Sequence, residues 1–382
     1  MRASRGVVST PGVEEETRDE RREASRGVVS TPEERRSLHA FAAALPKVEL
    51  HVHLEGSILP ETLLVLAQRH GMSLPAGDVP GLRAWYQFTS FRHFLEVYLT
   101  ISSLLRTPDD FALIVHDFGR EMARQHILYA EVTFTPFTHL WQDKGLQAED
   151  LIAGLETGRS RAAAEFGVDM AWVLDIPRNL SFKDGVYTGY ASDPTVDMAL
   201  AWRDQGVVAL GLGGNEVGAP PEPFAHAFDR ARAGGLHSLP HAGETVGPES
   251  VWGALRSLGA ERIGHGVRSI EDPSLVAYLV EHQTPLEINP TSNLRLGVYP
   301  DYQAHPLRRL WEAGAYVTVN SDDPPLFNTT LNDEYTVLID HFGFDAADLE
   351  RITLNALRAS CLPAERKTAL EAEFLAEFAR LR

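Results

Sequence analysis

One cysteine, Cys361, stands in a chain of 382 residues. A single thiol excludes an intrachain disulfide and any cysteine-rich zinc site, and it fits a reducing, cytoplasmic compartment. No stretch of about 18 apolar residues runs without a charge, so no membrane-spanning helix is expected. Positive charge is also scarce: 35 Lys and Arg against 53 Asp and Glu leave a net charge of −18. A surface this acidic repels phosphate backbones and argues against nucleic acid as a partner. Apolar residues make up 44% and charged residues 23%. That composition excludes fibrous and wholly disordered classes and suffices for a large core.

The first forty residues differ from the rest. ASRGVVSTP occurs at Ala3 to Pro11 and again, identically, at Ala24 to Pro32. Through Ala40 there are eight basic and eight acidic residues, few large apolar ones and no aromatics. Such a stretch buries too little surface to offset the entropy of ordering it. It lacks the apolar region of a signal peptide, and its acids argue against a transit peptide. Two copies are too few for a solenoid. Residues 1–40 are therefore expected to be a disordered tail, with one domain over 41–382.

From Leu45 onward, short β-rich apolar runs alternate with longer amphipathic stretches. The runs are Val48 to His53, Tyr129 to Thr135, Ala171 to Ile176, Val207 to Gly211, Leu236 to His241, Arg262 to Gly264, Pro285 to Ile288 and Tyr316 to Asn320. Several lack polar alternation, as strands buried on both faces do. Helix-like segments separate them, among them Leu151 to Phe166, Glu222 to Gly234 and Pro248 to Leu258. Eight β/α repeats predict an α/β fold with a parallel sheet closed into a (β/α)8 barrel. Glu61 to Arg124 is too long for a plain crossover and reads as a helical insertion. Its aromatics (Tyr86, Phe88, Phe91, Phe94 and Tyr98) suit either the core of a helical subdomain or a lid.

Catalytic groups of such barrels stand at the C-terminal ends of the strands. The first strand ends in His51-Val-His53, whose imidazoles project to one face. The fifth ends in His241-Ala-Gly-Glu244, the sixth in Ile263-Gly-His265-Gly, and the eighth in Asn320-Ser-Asp322-Asp323-Pro. Taken singly, each has a structural explanation, as a turn residue or a helix cap. Together they put a histidine pair, His/Glu, His and Asp/Asp at four of eight strand ends. Three neutral imidazoles and one carboxylate suit zinc when thiolates are absent. His51, His53, His241 and Asp322 supply four ligands for one Zn2+, which would lower the pKa of a water toward about 7. His265, Glu244 and Asp323 remain for base, acid and substrate anchor.

These residues belong to motifs that resemble the adenosine deaminase family of metal-dependent amidohydrolases: Lys47-Val-Glu-Leu-His-Val-His-Leu-Glu-Gly56, His241-Ala-Gly-Glu244, Ile263-Gly-His-Gly266, Asn289-Pro-Thr-Ser-Asn293 and Asn320-Ser-Asp-Asp-Pro324. They occur in the family's order and cover the chain from about Leu45 onward. The resemblance implies hydrolytic removal of the 6-amino group of an aminopurine. Glu244 would protonate N1, His265 would activate and orient the attacking oxygen, Asp323 would bond N7, and the backbone at Gly214 would meet N3. Deaminases built on H-x-E and P-C-x-x-C ligands are excluded by the single cysteine. Amidohydrolases with two metals use a bridging lysine on the fourth strand. Here that strand reads Val207-Val-Ala-Leu-Gly-Leu-Gly213, which favours one metal.

Two departures bear on the substrate. The adenosine-specific pattern has Asp where this chain has Glu55, the expected contact to the sugar 5′ position. Its fourth-strand motif also differs from Gly211-Leu-Gly-Gly-Asn-Glu216. Adenine deaminases and aminodeoxyfutalosine deaminases, of the futalosine route to menaquinone, commonly carry Glu at this position. The stretches 88–98, 129–136 and 213–218 are most similar to the latter. Adenosine, 6-amino-6-deoxyfutalosine and free adenine all stay open as substrates. Arg92, or another arginine near the lid, would suit a benzoate carboxylate. Deletion of residues 1–36 is expected to leave kcat unchanged in steady-state assays; a large loss would assign the tail a role in turnover.

Overall fold

In the computed structural model, residues 31–88 and 90–382 are described, and Leu38–Arg382 form one compact unit. Eight strands build its sheet: β1 Lys47–His53, β2 Ile127–Phe134, β3 Asp169–Pro177, β4 Val207–Gly213, β5 His237–Ala242, β6 Ile263–His265, β7 Leu286–Ile288 and β8 Val317–Val319. They lie in sequence order, every neighbouring pair is parallel, and helices fill the connections. This is the expected (β/α)8 barrel. The strands sit where the apolar runs stand, because strands covered on both faces need little else to mark them. Among the described residues no helix is long and apolar enough to cross a membrane.

Closure is made by one residue beyond β8. Asp322 forms a parallel bridge with Val52 of β1. Its carbonyl accepts from His53 N at 2.8 Å, and its N–H donates to His51 O at 3.1 Å. The seam of the barrel therefore runs between predicted ligands.

Among the described residues, the insertion between β1 and β2 holds four α-helices. They are α2 Pro60–His70, α3 Val79–Trp85, α4 Phe91–Ser103 and α5 Pro108–Arg124. Ahead of β1 lies α1 Pro32–Ala44. The expected tail boundary at residue 40 needs correction, since 32–40 are helical. The local cause is a capping box: Thr31 N donates to Glu34 Oε2 at 2.7 Å, and Glu34 N to Thr31 Oγ1 at 3.2 Å. Pro32 takes the first helical position, where a missing N–H costs nothing. The first ASRGVVSTP copy, and all but the last two residues of the second, lie outside the described residues.

Three charges lie inside the barrel. Arg262 Nη2 donates to Glu131 of β2 and its Nε to Glu287 of β7, and all three side chains are buried. The other oxygen of Glu287 meets His51 Nδ1 at 3.0 Å. Buried ions persist only where partners replace water, and removing one partner strands the rest. Arg262→Ala is expected to destabilise the fold by about 3–5 kcal/mol in urea unfolding. A loss below about 1 kcal/mol would mean that the two glutamates are relieved in another way.

Candidate metal centre and substrate cavity

Strand alternation sends His51 and His53 to the barrel mouth while Val52 between them is fully buried in the wall. The ring of His241, on β5, lies 4.5 Å from that of His51 and 5.2 Å from that of His53. Gly264 of β6 makes this packing possible. A Cβ there would stand 2.9 Å from His51 Cε1 and 3.1 Å from the His241 backbone. Two non-glycine residues of the site, His265 and Asp322, hold left-handed φ values of 60° and 67°. Such backbone is strained and persists where surrounding contacts over-determine it. For Asp322 those contacts include the seam.

Four ligand atoms converge. His51 Nε2 and His53 Nε2 lie 3.4 and 3.3 Å from Asp322 Oδ1, and His53 Nε2 lies 3.2 Å from His241 Nε2. Atoms bound at about 2.0–2.1 Å in a tetrahedron stand roughly 3.3–3.4 Å apart, so the set fits a zinc-sized cation. The chemistry of His51 agrees. Its Nδ1–H points at Glu287, while buried Nε2 has no hydrogen-bond partner. A carboxylate behind one ring nitrogen leaves the other's lone pair free for a metal. His51, His241 and His265 also form a close group. His265, however, is engaged differently.

The tautomer of His265 can be traced from an unambiguous donor. Leu307 N–H donates to His305 Nδ1 at 3.2 Å. His305 therefore carries its proton on Nε2, which meets Asn293 Oδ1 at 3.0 Å. The Asn293 amide nitrogen then faces His265 Nδ1 at 3.1 Å, joined by that of Asn289 at 3.3 Å. With Nδ1 accepting, the neutral ring has its proton on Nε2. That atom lies 3.8 Å from Asp322 Oδ2 and 3.9 Å from Glu244 Oε2. Burial holds His265 down to about 4, so the ring is neutral at physiological pH.

Glu244 follows β5 on a loop organised by one buried carboxylate. Glu216 accepts from the backbone N–H groups of Gly243, Glu244, Thr245 and Val246 at 2.6–3.0 Å, and from Ser250 Oγ at 2.7 Å. Burial, then the charges of Asp322 and Glu216, push the Glu244 carboxyl up to about 8. Burial and the adjoining Asp322 likewise hold Asp323 well above the usual carboxylate range. Asp323 needs its neighbour to be glycine, because a Cβ on Gly56 would lie 1.6 Å from its Oδ1. Gly214 lines the same space at φ 90°, a conformation that L side chains rarely adopt.

A cavity, partly open at its mouth, joins these groups. Its wall includes His53, Gly214, His241, Glu244, His265, Asp322 and Asp323. Helix α4 supplies Phe91, Phe94, Leu95, Tyr98 and Leu99, and Trp141 and Leu180 extend the apolar side. The insertion's aromatics both pack and line the cavity. Phe94 stacks on Phe327 at 5.6 Å and also faces the cavity.

Two residues expected near the substrate stand off the cavity wall. Glu55 does not line the cavity. It is fully buried, and Oε1 takes His139 Nε2 at 2.9 Å and Thr135 N at 3.2 Å, with Lys144 Nζ behind the imidazole at 3.0 Å. The nearby donors of the helix Pro136–Trp141 outcompete a surface position. Arg92 points outward, with its side chain 88% exposed and paired to Glu96 one helical turn on. Among the described residues, no lysine or arginine lines the cavity. Sequence reading also passed over Glu216, Glu287, Asn293, His305 and Asp175. The available signal was the same for several: a charged or amide residue inside an otherwise apolar strand or motif.

The adenosine deaminase family profile matches residues 46–376. An aminodeoxyfutalosine deaminase of Streptomyces avermitilis is 43% identical over 340 residues, 88% of this chain and 92% of that one. An adenine deaminase of Cupriavidus taiwanensis is 40% identical over 332 residues, 87% and 91% of the two chains. Among solved structures, an amidohydrolase from Burkhoderia ambifaria with bound Zn superposes with a TM-score of 0.82 at 28% identity, covering 93% of this chain and 95% of that one.

Proposed function

Because the chain belongs to the adenosine deaminase family, a family of metal-dependent hydrolases, we propose that it deaminates a 6-aminopurine nucleoside, with 6-amino-6-deoxyfutalosine as substrate. His51, His53, His241 and Asp322 would hold one Zn2+; their spacing and the free Nε2 of His51 support this, as does the zinc in the Burkhoderia relative. Zinc, when bound, acidifies water enough to supply a nucleophile at neutral pH.

The observation that carries the reaction is the buried carboxyl of Glu244, in one cavity with that cluster and pushed toward its neutral form. Water gives its oxygen to C6, and Glu244 gives a proton to N1, so the C6–N1 double bond becomes single. His265, with its proton on Nε2, orients the attacking oxygen by donating to it. A protonated Asp323 donates to N7, which only accepts, and the Gly214 N–H does the same for N3. Of the two protons that the water oxygen gives up, one goes to the amino nitrogen, which leaves as ammonia, and the other restores Glu244, leaving C6 as a carbonyl and N1 protonated. Holding the purine at three points removes much of the entropy cost of reaching the attack geometry.

The substrate follows from the wall. A bare adenine would leave most of the α4 aromatic surface uncovered, whereas a nucleoside with an aromatic 5′ substituent covers it. The 43% identical relative supports the same choice. Deamination of free adenine is the second reading, favoured by relatives at 40% identity. The lone cysteine and acidic surface suit a cytoplasmic enzyme of small-molecule metabolism.

Asp322→Ala is expected to lose both metal and activity. One zinc retained, by elemental analysis, would overturn the ligand set. Glu244→Gln is expected to keep zinc and lose turnover by several orders of magnitude; full activity would remove the proposed acid. Glu244 acts while protonated and its pKa is raised, so kcat/KM should hold below and fall as pH rises through about 8. Steady-state comparison of aminodeoxyfutalosine, adenosine and adenine tests the substrate: kcat/KM is expected to be highest for the first, and adenine ranking first would replace the reading.

A further inference from the structure

Asp175 is a buried carboxyl group that the chemistry above leaves unused. It stands at the C-terminal end of β3, lines the cavity and is 3% exposed. No hydrogen bond reaches its buried Oδ1. The nearby guanidinium, that of Arg178, donates through its two Nη atoms to the carbonyls of Ala219, Leu212 and His241, and its Nε makes no hydrogen bond. The facing strand makes room for the carboxyl: a Cβ on Gly211 or Gly213 of β4 would stand 2.5 or 2.0 Å from an Asp175 oxygen. A buried, unsatisfied acceptor costs free energy unless something else binds it.

Topology says what that something is. The argument rests on the purine contacts proposed above. Glu244 follows β5 and meets N1, Gly214 follows β4 and meets N3, and Asp323 follows β8 and meets N7. Around the purine perimeter, N1, N3, N9 and N7 follow in that order. Around the barrel, β5, β4, the arc of β3 to β1, and β8 follow in the same order. The substituent on N9 therefore lies over the β3–β1 arc. On that arc, Glu55 and Asp175 each keep one oxygen without a partner, but Glu55 stands off the cavity wall with its other oxygen taken by His139, and His53 belongs to the metal cluster, so Asp175 is the free acceptor that lines the cavity.

We infer that Asp175 is the ribose-binding residue, its carboxyl group accepting hydrogen bonds from the vicinal 2′- and 3′-hydroxyls of the substrate. A carboxylate that accepts from a ribose hydroxyl is a recurrent nucleoside contact. It selects nucleosides over the free base, because a base leaves the acceptor unsatisfied.

The test uses full-length zinc enzyme and the variants D175N and D175A, with melting temperature and zinc content as folding controls. With aminodeoxyfutalosine, KM is expected to rise about tenfold or more in both variants with little change in kcat. With adenosine as probe, wild type is expected to prefer it over 2′-deoxyadenosine and 3′-deoxyadenosine, and the variants to lose that preference. Unchanged KM, or a preference that persists in the variants, would overturn the assignment while leaving the deaminase reading intact. A drop in kcat alone would also overturn it, since a sugar contact made equally in ground and transition states moves KM. Wild type inert toward aminodeoxyfutalosine, adenosine and adenine would instead overturn the deaminase reading, and the assignment with it.

Discussion

Asp322 carries two duties that cannot be separated. Its backbone is the rung that closes the barrel against β1, and its side chain is the anion among the imidazoles. The left-handed φ that allows both is tolerated because hydrogen bonds to His51 and His53 hold it on either side. Position of the ligands is thus inherited from closure of the fold, and no flexible loop intervenes. The Arg262–Glu287–His51 chain does the same from below, tying one imidazole to charges inside the barrel.

Around that anion, burial divides acids by role. Glu244 and Asp323 both sit near Asp322, and both are pushed toward their neutral forms. Like charges packed in low dielectric cannot all ionise. The one that stays ionised is the one facing imidazoles, and the other two become donors. A purine, whose N1 and N7 are acceptors, needs those donors. Glu216 belongs to the same economy of charge: against its burial, the Arg178 charge and then the backbone N–H groups keep it ionised, and its field helps keep Glu244 protonated.

Much of this was legible in the sequence because it depends on local pattern. The strands announce themselves as apolar runs, and HxH on a strand fixes two imidazoles to one face whatever surrounds them. Legibility ended where partners come from distant elements. Glu55 was expected at the sugar, yet His139, 84 residues on, holds one of its oxygens, and the other has no partner. Arg92 sits near the lid in sequence, but helical periodicity turns it to solvent. His305 bears on the tautomer of His265 only through Asn293, a path that no spacing rule reveals. The tail boundary failed for a smaller reason: a capping box starts a helix inside a charged stretch that composition alone assigns to disorder.

The absence of lysine and arginine from the cavity wall, among the described residues, has a kinetic meaning. A benzoate-bearing nucleoside and a protein of net charge −18 repel each other at long range. Encounter then gains nothing from electrostatic steering. Capture falls to short-range desolvation of aromatic surface on α4, where the apolar part of the ligand sheds water while its carboxylate stays hydrated at the rim. Salt, which screens the repulsion, speeds rather than slows such an association.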